Sequence, residues 1–158
     1  MAGRVAILMG SPSDHDVMQA AEGVLGELGV ETDVRVISAH RTPERLRRFL
    51  DGAEAAGIEV VICGAGGAAH LAGVTAAHTL LPVLGVPIDS SPLSGLDALL
   101  STVQMPGGIP VGTLGIGKSG ARNAGLLAAA ILARKDGALR DRLAAFRERQ
   151  SASVPERP

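Results

Sequence analysis

The sequence predicts an α/β fold in which helices cover both faces of a five-stranded parallel sheet. Two observations support this prediction. Short apolar runs without alternation recur along the chain, as expected for strands that are buried on both faces. Each run is followed by a segment with helical periodicity, and such strand-helix alternation is typical of parallel sheets.

The first strand is the apolar run 5–9, which Gly10 ends. Asp14 then precedes a helical pattern that continues to Leu28, and Gly29 suits the position after a helix.

The second strand is predicted at 32–37. Thr42 is a suitable N-cap and Pro43 a suitable first residue for the next helix, which ends near Gly57.

The third and fourth units follow the same plan. Strand 60–63 leads into a run of glycines and then a helix over 70–80, while strand 82–86 precedes a helix over 93–103.

The last part of the chain contains a short fifth strand and two helices. The strand is predicted at 109–111, and an alanine-rich helix at 119–133 ends before Gly137. A further amphipathic helix covers about 138–150, and we expect the polar tail 151–158 to fray. The apolar stripe of this helix, formed by Leu139, Leu143 and Phe146, is expected to contact another subunit because it follows an already covered sheet.

Composition limits the class of protein. The length of 158 residues, without a linker, indicates one domain over 1–158. A net charge of -1, with no Trp or Tyr and two Phe, argues against a nucleic-acid partner. No apolar run reaches the roughly 20 residues that span a membrane, and no signal peptide is evident, so we expect a cytoplasmic protein without a membrane partner. The single cysteine, Cys63, is expected to be a buried apolar residue.

Ligands of such sheets bind beyond the carboxyl ends of the strands, so the loops there are the candidate site. The first loop places Ser11, Ser13 and Asp14 at a helix start, which suits either a phosphate site or an ordinary helix cap. The second loop contains His40 and Arg41. An arginine can bind a phosphate through paired hydrogen bonds, and a histidine can transfer protons near neutral pH. Both residue types also occur in purely structural or solvated roles.

Two glycine-rich segments match nucleotide-binding patterns. The segment 64–69 fits G-x-G-x-x-A, with Asp89 about 20 residues further on, but it follows the third strand and not the first. Alternatively, its glycines allow the backbone to lie flat against a small ring, with His70 as a polar contact or a helix-start residue. The segment 112–119 fits the Walker A pattern, although the strand before it is short and contains Pro110. Its structural reading is a turn in which Lys118 pairs with a carboxylate or a neighbouring chain.

Several motifs in order resemble one family. These are GSPSD (10–14), SAHRTP (38–43), GAGGAAHLAG (64–73), LPVLGVPID (81–89) and the long segment 93–129, which begins LSGLDALLSTVQMPGG. Together they resemble the catalytic subunit of phosphoribosylaminoimidazole carboxylase, and more specifically the bacterial N5-carboxyaminoimidazole ribonucleotide mutases, over about 4–135. Ala72 and His78 depart from that pattern, since proline and lysine are usual there.

The resemblance implies a flavodoxin-like three-layer αβα sandwich, a homo-octamer and a reaction of purine biosynthesis without ATP, metal or organic cofactor. The substrate is a ribonucleotide whose carboxylate moves from the exocyclic nitrogen to the adjacent ring carbon. His40 is the implied catalytic acid and base. The implied substrate-binding residues are Ser11, Ser13 and Arg41 at the phosphate, Asp14 at the ribose, Ser38 beside His40, and Gly64, Ala65, Gly66, Gly67, Ala68, His70 and Leu71 around the ring and carboxylate.

Two other functions remain open from the sequence. One is a direct carboxylase of the same superfamily, which adds carbon dioxide to aminoimidazole ribonucleotide. The other is a regulatory module that binds ATP or NAD through the glycine-rich segments without chemistry.

Overall fold

The computed structural model describes residues 3–157, in which five strands alternate with six α-helices. Met1, Ala2 and Pro158, the ends of the predicted domain 1–158, lie outside the described residues. The strands are β1 (Arg4–Met9), β2 (Thr32–Val36), β3 (Ile58–Gly66), β4 (Val83–Ile88) and β5 (Gly112–Thr113). The helices are α1 (His15–Glu27), α2 (Pro43–Ala53), α3 (Leu71–His78), α4 (Leu96–Val103), α5 (Gly117–Leu132) and α6 (Gly137–Ala152).

Within residues 3–157 the sheet is parallel throughout, with the strand order β2-β1-β3-β4-β5. This order is that of flavodoxin-like folds, in which the direction of strand addition reverses between β1 and β3. The predicted α/β fold with a five-stranded parallel sheet is therefore confirmed. In register, Met9 pairs with both Val36 and Gly64, so the carboxyl ends of β1, β2 and β3 meet at one edge.

Helices cover both faces of the sheet, which produces three layers. Alternate residues of the strands face α1, α5 and α6 in one core, exemplified by Ile7 and Ile62. The intervening residues face α2 and α3 in the other, exemplified by Leu8 and Val61. Cys63 lies in this second core, 1% exposed, and its thiol donates to Thr75 Oγ1 at 3.5 Å. Burial raises the pKa of the Cys63 thiol to about 12, which keeps it protonated and confirms the buried residue expected from the sequence.

The fifth strand differs from its prediction. The strand lies at Gly112–Thr113 and not at 109–111. Gly112 and Thr113 pair with Leu84 and Gly85 of β4. Pairing with β4 begins at Gly112, two residues after Pro110, so the register between the two strands sets the start of β5. The third strand also continues further than predicted, through Gly66, because its glycines stay in register with β4 before the chain turns.

The apolar stripe of α6 is covered within the chain. Leu139 is 0% exposed and Phe146 is 6% exposed, and both belong to the core on the α1 and α5 side. Leu139 and Phe146 therefore have their cover within the chain, while Leu143 is only partly buried and the expected contact of α6 with another subunit stays a prediction. The helix also continues to Ala152, two residues into the tail that was expected to fray.

None of the helices within residues 3–157 is long and apolar enough to cross a membrane.

Candidate active site

A cleft of about 330 Å³ opens at the carboxyl ends of the strands, around the point where β1 and β3 adjoin. Ligands of open α/β sheets bind at this point. The volume lies within the range of small-molecule sites, roughly 300 to 1,000 Å³. Its lining residues are Gly10, Ser11, Ser13, Asp14, Ser38, Ala39, His40, Arg41, Ala65, Gly66, Ala68, Leu71 and Ser90.

The first loop forms one wall of the cleft and is ordered by its own side chains. Ser13 donates its hydroxyl to Ser11 Oγ at 2.8 Å, and the Ser11 N–H donates to Asp14 Oδ2 at 3.0 Å. A single 3-10 turn, Pro12–Asp14, precedes α1 at His15. Two hydroxyls and a helix start therefore face the cleft together, which is an arrangement suited to an anionic group.

Asp14 is the buried carboxyl group of this wall, with 6% of the residue exposed. Desolvation raises the pKa of Asp14 above its usual value of 3.8, against the opposing effects of the Ser11 and Gly10 N–H groups and the Arg41 guanidinium. Ionisation of Asp14 therefore lowers the free energy of unfolding of the protein.

The Asp14→Asn variant is expected to gain thermal stability relative to wild type as pH increases, when both proteins are measured without ligand. A carboxyl group with a raised folded pKa contributes stability below its unfolded pKa and loses that contribution as pH rises through the folded value. Asparagine does not titrate and retains an oxygen for the Ser11 N–H. We expect the difference in Tm, variant minus wild type, to increase from pH 3.5 to pH 7. Asp51→Asn, on the exposed surface of α2, is the control, and a difference for Asp14→Asn that is flat with pH would contradict the argument.

The second loop bridges to the first through Arg41. Arg41 Nη2 donates to Gly10 O at 2.7 Å, while its N–H and Nε both donate to Ser38 Oγ, at 3.2 and 3.3 Å. These bonds hold the guanidinium against Gly10, in the cleft that Ser11 and Ser13 also line, where it can pair with an anion.

Thr42 occupies the predicted N-cap position of α2, but its side chain does not cap the helix. Thr42 Oγ1 donates to Ser38 O and accepts from the Ser38 N–H, both at 3.0 Å. The threonine therefore closes the loop that carries His40. Pro43 begins the helix, as predicted.

His40 and His70 meet in the cleft although 30 residues separate them. His40 Nε2 lies 2.8 Å from His70 Nδ1, and the two rings are nearly perpendicular, with centroids 4.9 Å apart. A contact between two ring nitrogens requires one proton between them, so one ring donates and the other accepts. This hydrogen bond therefore joins His40, from the second loop, to His70, at the start of α3.

The glycine-rich residues 64–70, called the glycine loop below, lie partly in the cleft and partly in the sheet. Ala65, Gly66, Ala68 and Leu71 line the cleft. Gly64 remains in β3, where a Cβ would overlap the Met18 side chain, and Gly67 turns the chain with φ +58°. Neither residue lines the cleft, and His70 reaches it through its contact with His40.

Three lining residues were not predicted: Gly10, Ala39 and Ser90. Gly10 and Ala39 adjoin predicted residues and could have been inferred with them. Ser90 follows β4, and its only sequence signal is its position directly after the strand next to β3.

The Walker-like segment lies apart from the cleft. None of residues 112–119 lines it, and Lys118 Nζ pairs with Asp16 Oδ2 of α1 at 3.0 Å, which agrees with its structural reading. Across residues 3–157, no group of three or more His, Cys, Asp and Glu side chains is arranged to hold a metal ion.

Comparison with known proteins places this architecture in a family. The family model described as AIR carboxylase matches residues 4–153. The N5-carboxyaminoimidazole ribonucleotide mutase of Brucella melitensis is 59% identical over 158 residues, which cover 100% of this chain and 98% of that protein. The protein of the same name from Escherichia coli K12 is 57% identical over 98% of this chain and 92% of its own length.

A solved structure agrees with the sequence relatives. The crystal structure of Treponema denticola PurE superposes with a TM-score of 0.86 at 29% identity, covering 94% of this chain and 92% of that chain. The chain thus belongs to the AIR carboxylase family and, within it, to the N5-carboxyaminoimidazole ribonucleotide mutases, which confirms the family that its motifs indicated.

Proposed function

We propose that this protein converts N5-carboxyaminoimidazole ribonucleotide into 4-carboxy-5-aminoimidazole ribonucleotide in cytoplasmic purine biosynthesis, with His40 as acid and then base. The observation that carries the proposal is the position of His40, between an anion-suited wall and the glycine loop. The names of relatives up to 59% identical support the same reaction.

Substrate binding uses the first two loops. The phosphate accepts hydrogen bonds from Ser11, Ser13 and Arg41, because hydroxyl and guanidinium donors already converge there. Asp14 accepts hydrogen bonds from the ribose hydroxyls, which give its desolvated carboxylate the polar partners that burial removes. The ring then lies against the flat backbone of Ala65 and Gly66, within reach of His40.

The first chemical step is protonation. His40, as imidazolium, donates a proton to the exocyclic nitrogen of the carbamate. The bond between that nitrogen and the carboxylate carbon breaks, and its electron pair stays on nitrogen. Aminoimidazole ribonucleotide, carbon dioxide and neutral His40 result.

The second step forms the new bond with the same histidine. The ring carbon supplies an electron pair to carbon dioxide, which gives a carboxylate on a carbon that still bears its hydrogen. Neutral His40 removes that proton, the ring regains aromaticity and the imidazolium is restored. The substrate and His40 account for every bond and proton in these two steps, so the proposed scheme uses no metal or organic cofactor.

His70 orients His40 in this scheme. The 2.8 Å contact holds the His40 ring against rotation and gives its Nε2 a hydrogen-bond partner. Orientation matters here because the carbon dioxide must be captured before it leaves the cleft.

The proposal includes assembly into a homo-octamer. Apolar side chains on one side of α4 support self-association: Leu96 is 53% exposed, Leu100 49% and Val103 47%. A row of this kind favours burial against another protein surface. Contacts made by α6 would use residues other than Leu139 and Phe146, which are already buried.

A cofactor-free assay tests the reaction. Purified protein is mixed with N5-carboxyaminoimidazole ribonucleotide without ATP, metal or added bicarbonate, and the carbon-carboxylated product is followed. Rapid conversion is the expected result. Activity only with aminoimidazole ribonucleotide and bicarbonate would indicate the direct carboxylase. No activity in either assay, together with tight binding of ATP or NAD, would indicate the regulatory module.

A further inference from the structure

Ser90 is a polar wall of the cleft that the scheme above leaves unused. It follows β4, whose neighbour β3 carries the glycine loop, and it faces the same cleft as His40 and Arg41. Its hydroxyl lies directly over Gly66, since a Cβ at Gly66 would overlap Ser90 Oγ. The serine and the glycine loop therefore form one continuous surface.

The hydroxyl is available to a ligand. Ser91, the next residue, uses its Oγ to accept from the Leu93 N–H at 3.2 Å and so stabilises the turn. Ser90 is exposed and lines the cleft, and its Oγ makes no hydrogen bond within residues 3–157. Ser90 therefore supplies a side-chain hydrogen-bond donor beside the backbone of Gly66.

The position of Ser90 after β4 indicates which part of the substrate lies near its hydroxyl. The phosphate donors come from the loops after β1 and β2, whereas Ser90 lies beyond β3 at the end of β4. Two strand intervals, about 10 Å, separate β1 from β4. A ribonucleotide with its phosphate at Ser11 and Arg41 thus extends its ring and carboxylate towards Gly66 and Ser90.

We infer that the Ser90 hydroxyl donates a hydrogen bond to the carboxylate of the substrate and so distinguishes carboxylated from uncarboxylated ribonucleotides. The inference rests on the proposed function for the orientation of the nucleotide. A hydroxyl donating to an ionised carboxylate makes a charge-assisted hydrogen bond, and its loss costs roughly ten- to a hundredfold in affinity.

Binding measurements test this without relying on turnover. Calorimetry compares 4-carboxy-5-aminoimidazole ribonucleotide with aminoimidazole ribonucleotide, which lacks the carboxylate. Ser90→Ala is expected to weaken the first ligand roughly ten- to a hundredfold and to leave the second unchanged. Ser91→Ala, the same change one residue further on, is expected to leave both affinities unchanged.

The outcomes separate this inference from the proposed reaction. An equal loss for both ligands, or no loss for either, would overturn the role of Ser90 even if the wild-type protein converts N5-carboxyaminoimidazole ribonucleotide. A selective loss in Ser90→Ala, combined with a wild-type protein that binds but does not convert, would support Ser90 and overturn the reaction.

Discussion

Asparagine at His40 is expected to lower turnover of N5-carboxyaminoimidazole ribonucleotide by roughly 10² to 10⁴-fold, the usual contribution of a general acid or base. Asparagine keeps a polar group in the cleft but neither donates nor accepts a proton in the required way. Ser11, Ser13 and Arg41 do not depend on His40 for their hydrogen bonds, so the affinity for nucleotide should remain close to that of wild type. Steady-state kinetics and calorimetry with the product measure the two quantities separately.

His78→Asn provides the matched control for this experiment. His78 lies at the end of α3 and its Nδ1 contacts Val74 O at 2.8 Å, outside the cleft. The same chemical change there should leave both turnover and affinity unaltered. If His40→Asn lost affinity in proportion to rate, His40 would be a binding residue and the acid and base would have to be sought in His70.

The architecture was predictable because its signals are local. Uniformly apolar strands such as Val5 to Met9, and helix starts such as Pro43, reflect burial and backbone geometry of a few neighbouring residues. The exact position of β5 was not predictable in this way. Whether residue 110 or residue 112 pairs with β4 depends on register across the sheet, which the local pattern does not contain.

The burial of the α6 stripe shows the same limit. Amphipathicity reveals that Leu139 and Phe146 need a covering surface, but it does not distinguish α5 of the same chain from a second subunit. That choice depends on how much of the sheet face the earlier helices leave open.

The sequence predicted which loops form the cleft, but it did not predict the contacts between side chains within the cleft. The carboxyl ends of parallel strands bring the loops of Ser11, His40 and Gly66 together, as expected. The 2.8 Å contact between His40 and His70 depends on two side-chain rotamers, so no spacing rule indicates it. Ser90 was missed because a serine after a strand is ordinary until its neighbour is known to be Gly66.

Valine at Gly125 is expected to destabilise the protein by about 3 kcal/mol, near the upper end for overpacked cores. A Cβ at Gly125 of α5 would lie 2.5 Å from Val24 Cγ1 and 3.0 Å from Ala21 O, both on α1. Val24 is fully buried and stiff at χ1, and a helical carbonyl moves only with its helix. The two helices must therefore separate. Guanidinium unfolding at one fixed protein concentration measures the change in free energy.

Gly23→Val is the matched control, because Gly23 also lies inside a helix but a Cβ there meets nothing within 4 Å. Valine is slightly better than glycine in a helix, so this variant should be neutral or stabilised by a few tenths of a kcal/mol. Equal effects at the two positions would show that helix propensity, and not the close approach of α1 and α5, decides the result.

The two variants should also differ in substrate binding. The loop with Ser11 and Ser13 leads directly into α1, so displacing α1 in Gly125→Val should raise the KM for the phosphate-bearing substrate, whereas Gly23→Val leaves it unchanged.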